Sequence, residues 1–239
     1  MLSGLSRFFD RRLFQCVVLF TSLLGIGYGW PALYGGISLG VSSGLRDKLY
    51  ARENMSAAEL EDFITKRHQM LSFWDSWLGY DDLAQATLAK AESLGLTTKA
   101  GRDLLPEVIR FEKEALIRNP ANSFAWARLA YARMVYNGPS RLVTMPLLQS
   151  IQAGPYEPSL LPSRITMMLN TKAYWPPEMQ DLFQKQLDRA WISQALETTR
   201  AVFFSGQDGA LRPYLESDAN KLKEFDGWIR DLRAEAKGQ

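Results

Sequence analysis

The stretch Phe111–Tyr136, FEKEALIRNPANSFAWARLAYARMVY, decides how the chain is read. It contains two amphipathic helical patterns joined by a short polar turn, Asn119-Pro120-Ala121-Asn122. Phe111, Ala115 and Leu116 fall on one face of the first pattern. Trp126, Leu129, Ala130 and Met134 fall on one face of the second. Pro120 cannot continue the first helix, because it lacks an N–H and clashes with the preceding turn. Asn122 or Ser123 can cap the second by accepting from its free N–H groups. Helices joined so tightly lie antiparallel and bury their apolar faces against each other.

Working outward, the pattern repeats as helix after helix. Ser56-Ala57-Ala58-Glu59 has capping-box spacing and predicts a helix through His68 to about Leu78, with Leu60, Phe63, Ile64, Leu71, Trp74 and Leu78 at helical intervals. A second helix is expected from Tyr80 to Leu94, ended by Gly95. Thr97 or Thr98 starts the next, which passes Pro106 and reaches Arg118. Asn137-Gly138-Pro139-Ser140 and Gly154-Pro155-Tyr156-Glu157-Pro158 are turns. A helix is expected between them, running through Met145 to Ile151. Leu160–Leu169 is short and apolar, so it belongs inside. Its Arg164 is expected to snorkel or to pair with a carboxylate, the alternative being a ligand-gripping charge. Pro176-Pro177-Glu178 starts a pattern expected to run to about Phe204 as one helix. The last helix, Asp218 to about Ala236, has a charged outer side suited to closing an array. No strand-like alternation persists, so the soluble part is expected to be all-α.

The N-terminal stretch has a different character. Residues 1–12 are short and basic, and Leu13 to Leu45 contains no charged residue. The densest part, Leu13–Trp30, spans about 27 Å as a helix, close to the hydrocarbon thickness of about 30 Å. Tyr28 and Trp30 suit an interfacial aromatic belt, and Pro31 is expected to end or kink the helix. Arg7, Arg11 and Arg12 place the N-terminus in the cytoplasm by the positive-inside rule. Residues 13–45 thus read as anchor and juxtamembrane segment. Residues 46–239 read as an extracytoplasmic helical domain, periplasmic at the inner membrane of a bacterium. A cleaved leader would share the charged start and apolar run. Bulky Tyr28, Trp30 and Tyr34 stand where a small-residue cleavage site is needed, so an uncleaved anchor is expected.

Gly25, Gly29, Gly36, Gly40 and Gly44 recur at four-residue spacing. On a helix they form a flat strip on which a partner membrane helix, or a second copy, can approach closely. The plainer reading is a glycine-tolerant membrane helix followed by a flexible tether. Both readings stand. Gly36-Ile37-Ser38-Leu39-Gly40 also fits G-x-S-x-G, but a hydrolase elbow needs a buried strand and a later acid–histidine pair. A membrane boundary and a single histidine, His68, supply neither.

Composition narrows the chemistry. Beyond residue 45 the charges balance. The lost segment removes Arg7, Arg11, Arg12 and Asp10, so the 28 basic and 26 acidic residues become equal in number. No phosphate-tracking surface follows, and nucleic acid is not an expected partner. The single Cys16 excludes an intrachain disulfide and a cysteine zinc site. His68 has no second and third ligand at suitable spacing. Adjacent Asp81/Asp82 point apart on a helix, so no catalytic pair, metal or cofactor is expected. Trp74, Trp77 and Tyr80, with Arg164, are candidates for a groove that takes peptide or glycan; at helical spacing such aromatics are more often core.

Ala115, Pro120, Trp126, Leu129 and Ala130 together resemble the junction between consecutive tetratricopeptide repeats. A fainter echo begins near Gly154-Pro155. Arg133 and Gln149 depart from the pattern, standing where that family has an aromatic and a small residue. The resemblance implies an irregular array of antiparallel helix pairs that binds proteins and is not an enzyme. It also implies a place in envelope assembly, including the making and export of surface polysaccharide. The expected partners are the bilayer, envelope or integral-membrane proteins, and a second copy of the chain. Two other functions stay open: an accessory subunit built into a larger membrane complex through the glycine strip, and a glycan binder or enzyme.

Overall fold

The computed structural model describes residues 3–237. Among these the chain is helical, with no strand. It divides into two compact units, residues 1–86 and 87–239.

In the first unit, α1 (Ser3–Val41) runs 39 residues, about 58 Å at 1.5 Å per residue. Pro31 lies inside it, so of the two expected outcomes the helix does not end there. The proline removes one backbone bond, but the residues that follow gain tertiary partners. Tyr34 stacks on Phe73 with ring centroids 4.7 Å apart, and Gly35 is buried. Thr21 satisfies its hydroxyl by donating to the carbonyl of Val17 at 2.9 Å, which an apolar helix in lipid would require.

Helix α2 (Ser43–Tyr50) follows almost without a break, then α3 (Ala57–Leu71). The Ser56 capping box forms as expected: its hydroxyl accepts from the Glu59 N–H, and Glu59 accepts from the Ser56 N–H. Helix α3 stops at Leu71, short of the expected Leu78. Residues 72–76 form a turn, and α4 (Trp77–Ser93) starts at Trp77. The stop follows from close packing. A Cβ on Gly79 would lie 2.4 Å from the Met70 side chain and 2.7 Å from that of Leu71, so the two helix ends touch at Gly79. Leu60, Phe63 and Met70 are the buried apolar residues of α3.

In the second unit, α5 (Lys99–Arg118), α6 (Ser123–Asn137) and α7 (Arg141–Ala153) pack in succession, α6 against both neighbours. Thr98 caps α5, and Asn122 caps α6 by accepting from the Phe124 and Ala125 amides. Arg102 donates to the carbonyls of Val135 and Tyr136, tying the first turn of α5 to the last of α6. Helices α8 (Leu161–Asn170), α9 (Met179–Ser193), α10 (Ala195–Phe204), α11 (Asp208–Leu211) and α12 (Ala219–Lys237) complete the unit. Its main core gathers Leu147, Ile165, Met168, Phe183, Val202 and Phe225. Trp175, Phe183 and Tyr214 stack in series, with centroids 5.2 and 4.6 Å apart.

The expected single helix to Phe204 is broken at Gln194. A straight helix over 176–204 would be about 43 Å long. The break lets α10 pack on α8 and α12 as well as on α9.

Candidate functional site

The most distinctive constellation in the first unit is a buried charge cluster at the end of α1. Arg67 and Asp82 are both fully buried. Arg67 Nε donates to Asp82 Oδ2 at 2.7 Å, and Arg46 Nε donates to Oδ1 at 3.0 Å. Tyr50 lies within hydrogen-bond reach of Asp82 Oδ1 at 2.9 Å and of Asp81 Oδ2 at 2.6 Å. Arg67 Nη1 donates to Ser42 Oγ at 2.6 Å, and Ser42 Oγ donates to the Ser38 carbonyl at 2.7 Å. The Arg67 guanidinium covers the Phe63 ring at 4.4 Å. Burial works to lower the Arg46 pKa, but the charge and hydrogen bond of Asp82, with Tyr50, outweigh it and raise it. Both oxygens of Asp82 are engaged by cations, so the arrangement suits a structural lock better than proton transfer. It ties α1, α2, α3 and the start of α4 together.

Spacing along the chain does not foretell this lock, although a signal is present. Leu60, Phe63, Arg67 and Met70 share one stripe at spacings of three and four, so a charged residue stands in an apolar row. Its partner cannot be named from spacing alone.

Gly25, Gly29, Gly36, Gly40 and Gly44 border open space, with nothing within 4 Å of a Cβ built on any of them. The strip is therefore free surface on this chain. The glycine that closes on a neighbour is Gly35, about 100° round the helix from Gly36. A Cβ there would lie 2.1 Å from the Trp74 ring. The four-residue spacing does not single out Gly35, whose neighbour Trp74 is remote in sequence.

The groove candidates fall in different units. Trp74 lies on Gly35, Trp77 is 38% exposed at the start of α4, and Tyr80 is partly buried. The turn at 72–76 separates Trp74 from Trp77, so they do not share one helix face.

Arg164 belongs to the second unit and is fully buried. It neither snorkels nor pairs with a carboxylate. Its guanidinium donates to Ser150 Oγ and the Ser150 carbonyl, to the Gly154 carbonyl at 2.8 Å, and to Gln186 Oε1 at 3.3 Å. Burial pulls its pKa down to about 10, with Glu157 acting in the other direction. Ser150 Oγ passes the chain on to the Ser123 carbonyl at 2.7 Å, so one side chain links α8, α7 and α6.

The predicted junction residues meet at the α5–α6 hairpin. Ala115, Leu129 and Ala130 are buried. Trp126 packs beside Leu116, Ala125 and Leu129, and its indole N–H donates to the Pro120 carbonyl at 2.8 Å. Buried Glu112 accepts from Arg128 Nε at 2.6 Å across the same hairpin. His68 is exposed on α3, and among the described residues no three His, Cys, Asp or Glu side chains gather as a metal site.

No protein-family model matches this sequence, and no curated protein and no solved structure matches it.

Proposed function

We propose that this chain is a non-enzymatic scaffold held in a bacterial inner membrane by α1. In this reading the N-terminus is cytoplasmic and the helical body lies in the periplasm, where it recruits envelope proteins. The observation that carries the reading is the contrast along α1. From Phe14 to Val41 it forms an apolar surface long enough to cross a bilayer, with Phe14, Phe20, Leu23, Ile26 and Leu33 exposed. At its end Ser42 is buried and bonded to Arg67. A helix so apolar outside and so firmly joined to a folded body suits an anchor that orients what it carries. The consecutive packing of α5, α6 and α7, with Ile117, Leu142 and Met145 left exposed, suits a tetratricopeptide-like array that binds protein surfaces. A role in surface-polysaccharide assembly or export belongs to this reading through the repeat resemblance.

A second reading is favoured by one observation, the open glycine strip. Gly36 and Gly40 would seat a helix of a larger membrane complex in which this chain is an accessory subunit. Deleting residues 1–45 would not separate the two readings, because Gly35 and Ser42 are part of the folded unit. The test is a crosslinked, gently solubilised pulldown of the full chain beside its Gly36→Leu/Gly40→Leu variant. Partners retained by the variant support the scaffold. Partners lost from it sink the scaffold in favour of the built-in subunit.

A further inference from the structure

We infer that the α3–α4 turn is a second membrane contact, with Phe73 and Trp77 resting in the headgroup boundary of the bilayer that α1 crosses. The inference rests on the reading of α1 as a span. Its geometry is internal to the first unit. Phe73 stacks on Tyr34, and Trp74 lies so close to Gly35 that no side chain fits between them. The turn is therefore pinned beside residues 34–35, inside the apolar stretch Phe14–Val41.

The depth follows from helix rise. The first twenty residues of that stretch, Phe14–Leu33, cover about 30 Å, the thickness of the hydrocarbon core. Tyr34 and Gly35 then emerge where hydrocarbon gives way to headgroups, and they bring Phe73 and Trp74 to the same level. Aromatic side chains favour that zone, because an apolar ring with a polar edge or hydrated neighbours is satisfied there. Phe73 is 54% exposed and Trp77 38% exposed, which water alone would make costly for residues of this size. Exposed Trp30 and Leu33 on α1 continue the same surface. Of the polar members of the turn, Ser76 is buried, and Ser72 and Asp75 are exposed and find hydrated, charged headgroups at that depth. The bilayer is preferred to a protein as occupant because the patch is continuous with the charge-free stretch Phe14–Val41 of α1. The first charged residue after it, Arg46, lies about 18 Å further along the helical path from Tyr34.

The contact is tested on the full chain reconstituted in vesicles of phosphatidylethanolamine and phosphatidylglycerol. Cys16→Ser removes the single cysteine. Ile26→Cys, Phe73→Cys and Trp77→Cys are then introduced one at a time and labelled with an environment-sensitive fluorophore. Lipids carrying a quencher near the headgroup or deep in the acyl chain report depth. The expected result is deep quenching at 26 and shallow quenching with a blue shift at 73 and 77. Quenching at 26 with none at 73 or 77 overturns the second contact and leaves the span standing. No quenching at 26 overturns the span and the inference together. Circular dichroism checks each variant's fold, and should Phe73→Cys unfold, the depth measured at Trp77→Cys decides between contact and no contact.

Discussion

Two neighbouring glycines, Gly35 and Gly36, have opposite surroundings one residue apart. A methyl group at 35 would meet the Trp74 ring, whereas one at 36 meets nothing. Gly35→Ala is expected to destabilise the first unit by about 1–3 kcal/mol through overpacking. Gly36→Ala is expected to be neutral or slightly stabilising, since alanine is the better helix former. Thermal melts of the two variants in the same detergent check the contrast, and equal melting temperatures would refute it. The buried Arg67–Asp82 pair gives a second residue-scale prediction. Arg67→Met leaves a buried carboxylate one cation short and is expected to cost about 3–5 kcal/mol. Adding Asp82→Leu is expected to recover much of that loss, because the orphaned charge goes too. A double-mutant cycle measures the coupling, and simple additivity would show that the two side chains are not a unit.

The start of α3 shows how an element depends on pH. Glu59 is held down to about 2 from its ordinary 4.5, first by the Ser56 backbone N–H and then by the Lys48 hydrogen bond, the Ser56 hydroxyl and the Lys48 charge. Because the folded value is the lower one, this stabilisation is complete above pH 4.5. It is lost as pH falls toward 2. Acid titration of helicity is expected to have a component in that window which Glu59→Gln removes; an unchanged acid limb in the variant would rule the cap out as its source. Lys48 donates to Glu59 at 2.9 Å, so acid also loosens α2 from α3. Start and stop signals make the elements themselves readable. Thr98, Asn122 and the Ser56 capping box stand next to the helices they begin, and capping is a local interaction. Where a helix stops for a non-local reason, periodicity runs past the end: at Leu71, where α4 closes on α3 through Gly79, and at Gln194, where α10 turns to reach α8 and α12.

For the whole molecule, the scaffold reading predicts how the chain leaves a membrane. Alkaline carbonate is expected to leave it in the pellet and detergent to release it, as judged by blotting both fractions. Release by carbonate alone would sink the anchor. The sequence by itself determined that the chain is helical, that one N-terminal helix is long and apolar enough to span a bilayer, and that α5 and α6 form a hairpin around Ala115, Leu129 and Ala130. These features rest on residue periodicity and on caps a few positions away, and both are written along the chain. Only the tertiary structure decided that Gly35 and not Gly36 is enclosed, that Arg67 finds Asp82 and Ser42, and that Arg164 is spent on carbonyls and Ser150. Each of those outcomes joins residues far apart in sequence, and the partner is fixed by how helices settle against one another. A side chain's neighbours along the chain say that it must be satisfied; they do not say by whom.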